Sequence, residues 1–170
     1  RVPSTDIVVT VGANSIAVVT LNRPAKRNAV SLAMWRDLES IFTDLARRDV
    51  RAVILAGAGG NFCAGADISE FPTVRADAEA GRIYEATAEA ATLAIRDFPR
   101  PTIAAISGYG VGGGCGLALS CDFRVADASA QMGIPAARLG IVYSTLDCQL
   151  LYRQVGLANA KRVLFSGKFF

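Results

Sequence analysis

The chain has no histidine among its 170 residues. That removes Ser-His-Asp and Cys-His nucleophile pairs and His-based metal sites. Its chemistry has to come from backbone dipoles, carboxylates, tyrosine, lysine or ordered water. Two turns of small residues are placed to supply the backbone part. One runs from Gly57 through Gly59, Gly60, Cys63, Ala64, Gly65 and Ala66 to Ile68, and the other is Gly108-Tyr109-Gly110-Val111-Gly112-Gly113-Gly114. Each follows a short apolar run that suits a buried strand. Glycines at a strand-to-helix turn allow close backbone approach and leave N–H groups free to meet negative charge. Ala66 and Gly113 are the positions that could present their N–H groups to one shared point. Two such donors make an oxyanion site, each worth about 3–4 kcal/mol when aimed at charge that develops in the transition state. Two other readings stand beside this one. The turns can be simple packing devices, or Gly108-x-Gly110-x-x-Gly113 can be a dinucleotide-binding turn. Against the dinucleotide reading, the glycines are over-abundant, the following helix spans only about two turns, and the pattern lies deep in the chain.

These turns need elements to hold them. Asp6–Val11 and Ser15–Leu21 read as a hairpin around Gly12-Ala13-Asn14. Asn22 to Asn28 reads as a loop. Ser31 is a good N-cap for a helix over Leu32–Arg47, with Met34, Leu38, Ile41, Phe42 and Leu45 on one face. Arg51–Ala56 is a short apolar strand of the parallel kind. Phe71–Asp77 reads as an exposed, mobile loop, and Ala78–Phe98 as an alanine-rich helix ending before Pro99 and Pro101. Thr102–Ser107 and Asp122–Ala126 are strands flanking a small buried helix over Cys115–Ser120. Ser129–Met132 reads as a further strand and Ala136–Arg138 as one helical turn started by Pro135. Ser144–Val155 and Ala158–Ser166 read as helices stopped by Gly156 and Gly167.

Composition narrows the function classes. The length suits one domain over residues 1–170, and 52% hydrophobic residues can build a sizeable core. A net charge of +3 is too mild to argue for nucleic acid. No apolar run reaches membrane-span length, so no membrane partner is expected. Cys63, Cys115, Cys121 and Cys148 show no metal spacing and sit in apolar contexts. They read as buried, reduced thiols of a cytoplasmic protein. The chain opens on Arg1 without a signal pattern, which reads as a trimmed start. It ends on Phe169-Phe170, which reads as a fold that continues or a face that a partner covers.

Several motifs in order resemble one family. They are Leu21-Asn22-Arg23-Pro24-x-x-x-Asn28-Ala29, then Phe62-Cys63-Ala64-Gly65-Ala66-Asp67-Ile68, then Gly108-Tyr109-Gly110-Val111-Gly112-Gly113-Gly114-Cys115, then Cys121-Asp122. Together they resemble the crotonase (enoyl-CoA hydratase/isomerase) superfamily. The resemblance implies an α/β fold, a spiral of repeated ββα units with parallel sheets, whose C-terminal helical part lies outside this chain. It implies an acyl-CoA thioester as partner, coenzyme A entering as part of the substrate, no prosthetic group, and a homotrimer or a dimer of trimers. It assigns the oxyanion donors to Ala66 and Gly113, and CoA-binding positions to Lys26, Arg27, Ala29, Ala64, Asp67 and Ile68. Lys26 and Arg27 also suit a phosphate-rich ligand, with an ordinary solvated loop as the plainer reading. Asp67 reads equally as a helix N-cap.

The pattern breaks at the acid/base positions. Hydratases of the family use two glutamates, and the matching positions here are Gly116 and Ala136. Water addition needs a base and an acid on one side of the enoyl group, so this chain should be a poor hydratase. A further carboxylate of some isomerases would fall near Ser144. The resemblance leaves Tyr143, Ser144 and Asp147 near the site, with Glu70 and Tyr109 as weaker candidates. The plainer reading of Asp147 is a surface or first-turn carboxylate favoured by the helix dipole, and that of Tyr143 is a half-buried core residue. Three functions follow from this reading: an acyl-CoA enzyme with atypical chemistry, a non-catalytic acyl-CoA-binding member, or a dinucleotide-binding oxidoreductase.

Overall fold

The computed structural model describes residues 5–170. Alternation of buried and exposed residues sets the first elements. Ile7–Val11 (β1) pairs antiparallel with Ile16–Leu21 (β2), and Ala17, Val19 and Leu21 of β2 are fully buried. From β2 the sheet continues in parallel through Ala52–Gly57 (β3), Thr102–Ile106 (β4) and Phe123–Ala126 (β6). The five-strand order is β1-β2-β3-β4-β6. A separate parallel pair joins Tyr109–Val111 (β5) to Gln131–Gly133 (β7). The strand expected over Ser129–Met132 is thus shifted and shorter. Ser129 instead folds back on Asp127 through its N–H and its hydroxyl.

Parallel strands need crossovers, and helices supply them. Leu32–Ala46 (α1) starts at Ser31, whose hydroxyl accepts from the Met34 N–H, and buries Met34, Trp35, Leu38, Phe42 and Leu45. Ala78–Arg96 (α3) is capped by Asp77 and packs along α1. Gly113–Ser120 (α4) is buried along almost its whole length. Ala136–Leu139 (α5) is a single turn, and Thr145–Ser166 (α6) is broken by Gly156 at φ 75°, where the sequence places a helix stop. One large core joins the sheet, α1 and α3. A smaller one joins Cys115, Leu119, Ile134, Ala136, Leu150 and Leu151 under α6.

One expectation here needs correction. Phe71–Asp77 is not an open loop: Phe71–Val74 (α2) is a short helix. Its anchor is Arg75, whose guanidinium lies 4.5 Å from the ring centres of both Phe71 and Tyr84 and is ion-paired with Glu85. Cation–π contacts of this kind hold a segment that composition reads as mobile. Phe169 and Phe170 do remain partly exposed, but their backbone is paired: Phe170 exchanges hydrogen bonds with Met132 at 2.8 and 2.9 Å, which extends the small sheet.

Candidate active site

The two glycine-rich turns are joined edge to edge. Cys63 N–H donates to the Tyr109 carbonyl (2.7 Å) and Val111 N–H to the Cys63 carbonyl (3.0 Å), a parallel bridge between Cys63 and Gly110. The backbones approach so closely that a Cβ on Gly114 would lie 2.2 Å from the Cys63 oxygen. Gly65 has φ 95°, and its own Cβ would meet the Val111 oxygen at 2.9 Å. Glycine is required at both positions by geometry, one for close approach and one for conformation as well. The first turn is held from behind by Asn28, which is fully buried. Its amide donates to the carbonyls of Ala58 and Asn61 and accepts from the Arg23 N–H.

This zipper leaves two amides unused. A second bridge pairs Val30 with Ala66, and it is Gly65 O and Asp67 N that bond to Val30. In parallel pairing the N–H of Ala66 then faces away from Val30. The Gly113 N–H opens α4, where helical geometry provides no acceptor. Among the described residues neither N–H donates a backbone hydrogen bond. They stand close together: a Cβ on Gly113 would be 3.6 Å from the Ala66 nitrogen and 3.3 Å from the Trp35 ring. Trp35 is itself fixed by donating to the Tyr84 hydroxyl at 3.0 Å.

Ala66 and Gly113 both line a cleft of about 790 Å³, whose walls also include Ala64, Ile68, Trp35, Tyr84, Ala136, Tyr143 and Asp147. Asp147 lies in the first turn of α6, with its N–H capped by the Ser144 hydroxyl at 3.0 Å. Its Oδ1 is buried and has no hydrogen-bond partner among the described residues. Burial raises its carboxyl above the usual carboxylate range against the lowering effect of Ser144, and the charges of Glu85 and Glu89 raise it further. A Cβ on Gly116 would lie 3.0 Å from this Oδ1 and 3.4 Å from the Tyr143 hydroxyl. Asp147 and Tyr143 therefore occupy the space that a side chain at position 116 would enter. Asp147 is the first-turn carboxylate of α6 and is half-buried, with its Oδ1 atom turned inward toward α4.

Sequence and structure comparisons bear on this cleft. Residues 12–170 match the sequence family described as enoyl-CoA hydratase/isomerase. The chain belongs to the enoyl-CoA hydratase/isomerase family. It is 36% identical to the short-chain-enoyl-CoA hydratase of Clostridium acetobutylicum over 90% of this chain and 59% of that protein. It is 37% identical to the human mitochondrial enoyl-CoA hydratase domain-containing protein 2 over 90% of this chain and 52% of that protein. A crystal structure of an enoyl-CoA hydratase/carnithine racemase from Magnetospirillum magneticum superimposes with a TM-score of 0.94 at 38% identity, covering 99% of this chain and 63% of that one. An enoyl-CoA hydratase from Bacillus anthracis gives 0.92 at 34% identity, covering 98% and 64%. The chain thus spans roughly six-tenths of these relatives and has the crotonase fold.

In this enoyl-CoA hydratase/isomerase-family chain, Ala64, Ala66, Ile68, Gly113, Tyr143 and Asp147 meet in the one cleft. Lys26 and Arg27 lie outside its walls on an exposed turn beside it, tied in by the Ala64 N–H donating to the Arg27 carbonyl at 2.9 Å. Asp67 is buried under this turn, ion-paired with Arg23 at 2.9 Å and Lys26 at 2.8 Å, and it caps Ser69. Burial would raise its carboxyl, but hydrogen bonds from Lys26, Ser69 and Arg23 prevail and hold it well below the usual range. Ala29 is buried outside the cleft, its carbonyl taken by Arg23. Glu70 accepts from the Leu32 N–H and so caps α1, and Tyr109 lies under Arg27. The dinucleotide pattern lacks its geometry here, because Tyr109–Val111 is a strand set between its first and last glycines. Cys63, Cys115 and Cys121 are buried, with thiols pushed up to about 12. Sequence reasoning missed Trp35, Tyr84, Arg75, Glu85 and Glu89 as cleft walls. The only signal for the first is that it is the chain's single tryptophan.

Proposed function

We propose that the protein is an acyl-CoA enzyme that forms a thioester enolate. The observation that carries this reading is that Ala66 and Gly113, whose amides have no backbone partner among the described residues, line one cleft with Asp147, whose buried Oδ1 has none either. The thioester oxygen accepts from both N–H groups. The Asp147 carboxylate takes a proton from the carbon next to the thioester. The C–H electron pair moves into the new C=C bond, and the carbonyl π pair moves onto the held oxygen. Return of the proton to the same or a conjugated carbon completes exchange or isomerisation. A carboxyl raised by burial is a better base for this step than an ordinary aspartate. Lys26 and Arg27 meet the phosphates of coenzyme A and Ala64 and Ile68 wall the cleft beside it, as the family resemblance implies, while Asp67 and Ala29 act from beneath by holding the Lys26–Arg27 turn through Lys26 and Arg23. A trimer, or a dimer of trimers, is the assembly that goes with this reading.

With Gly116 and Ala136 in place of carboxylates, hydration of crotonyl-CoA should be slow. The decisive assay is hydrogen–deuterium exchange at the α-carbon of butyryl-CoA in D2O, followed by NMR. Gly113→Val places methyl groups between the two amides and should lower exchange by about 100-fold or more. Unchanged exchange in that variant would sink the reading. Saturable butyryl-CoA binding with no exchange in the unaltered protein would favour a non-catalytic acyl-CoA-binding role.

A further inference from the structure

We infer that Tyr143 is a positioning residue whose hydroxyl fixes and polarises the Gly112–Gly113 peptide, so that the Gly113 N–H is held as a strong donor. This rests on the reading of Ala66 and Gly113 as the thioester-oxygen site. The Tyr143 hydroxyl donates to the Gly112 carbonyl at 2.9 Å. That carbonyl and the Gly113 N–H are opposite ends of one planar amide. A donor on the oxygen draws electron density along the unit and strengthens the N–H at its far end.

The peptide needs such a tether. It joins two glycines, and Gly112 sits at φ 55° and ψ −123°, where no side chain restricts rotation. Its backbone is held by Gly112 N–H to the Gly133 carbonyl at 2.8 Å and by Gly116 N–H to the Gly112 carbonyl at 3.1 Å. Tyr143 supplies the one side-chain bond to that carbonyl among the described residues. It comes from the residue before the Ser144 cap of α6, so it ties the amide to the helix that carries Asp147. Its proton is committed to Gly112, which separates its role from that of an acid or base. Burial, and then the nearby Asp147 carboxylate, hold its hydroxyl well above the ordinary tyrosine value, so it remains a donor across the working pH range.

The test is the stretching frequency of a 13C-labelled thioester carbonyl in bound butyryl-CoA, read by infrared difference spectroscopy. The unaltered protein should shift the band to lower frequency relative to free thioester. Tyr143→Phe should return the band part of the way to the free value. It should lower α-proton exchange about tenfold through kcat with KM little changed, the effect of one ordinary hydrogen bond. Fluorotyrosine at position 143 keeps the shape, strengthens the donor and should increase the shift, which covers the case of a Phe variant that folds poorly. A full shift retained in Tyr143→Phe, or no increase with fluorotyrosine, overturns the role of Tyr143 alone. No shift in the unaltered protein overturns the thioester site itself, and this role with it.

Discussion

Replacing Asp147 by asparagine should move activity and stability in opposite directions. The substitution keeps the shape and removes the base. General-base catalysis contributes roughly 100- to 10,000-fold, so α-proton exchange should fall by that factor, about 3–5 kcal/mol in barrier. Stability responds differently because Oδ1 is buried without a hydrogen-bond partner among the described residues. An unpartnered buried atom is costly, and costlier when it carries charge. The neutral amide should therefore be better tolerated by about 1 kcal/mol, which raises Tm by about 2–4 °C in a chain of this size. The sign depends on pH. The folded carboxyl is raised by burial and by Glu85 and Glu89, so the folded state holds its proton over a range where the unfolded state has lost it. Stability of the unaltered protein then falls as pH rises from the unfolded carboxylate range to the raised folded value, and stays low above it. The variant lacks that loss, so its Tm advantage appears at neutral pH and vanishes in acid. Exchange by the unaltered protein should rise with pH through the same raised value, and the residual exchange of the variant should not. Exchange that survives the substitution refutes the base. Parallel loss of exchange and Tm points to a structural carboxylate instead.

Asp67→Asn tests the opposite case. Asp67 is held low by Lys26, Ser69 and Arg23 against the effect of burial, so its ion pairs stabilise the fold above the unfolded carboxylate range and are lost as pH falls through the lowered folded value. The variant should lose about 2–3 kcal/mol at neutral pH, less than a fully buried pair because Lys26 is half exposed. The gap should close in acid, and a gap constant with pH in chemical denaturation would be the contrary result. Lys26→Ala with Arg27→Ala should weaken calorimetric binding of butyryl-CoA at least tenfold and leave butyryl-pantetheine, which lacks the nucleotide phosphates, unchanged. Equal losses for both ligands would show that the turn acts on the cleft and not on phosphate.

Much of the fold is legible because its signals are local. The alternation in Ile16–Leu21, the Ser31 cap and the apolar face of α1, and the Gly156 break in α6 each depend on residues within a few positions of one another. The Phe71–Asp77 segment was misread because Arg75 is held by Tyr84 and Glu85, which lie in the next helix and leave no mark in the segment itself. Asn28 is visible in a motif, yet its work of holding Ala58 and Asn61 is not.

The site divides along the same line. Residue type alone places small residues at two turns, leaves these 170 residues without a histidine, and puts no carboxylate at positions 116 and 136. Packing over long range is what brings the Ala66 and Gly113 amides close together, without a backbone partner among the described residues, sets Asp147 Oδ1 over Gly116, and bonds Tyr143 to Gly112. Those contacts join residues about 30 to 50 positions apart. They are fixed by the packing of α6 on α4 and by the bridge between Cys63 and Gly110, and no local periodicity encodes them.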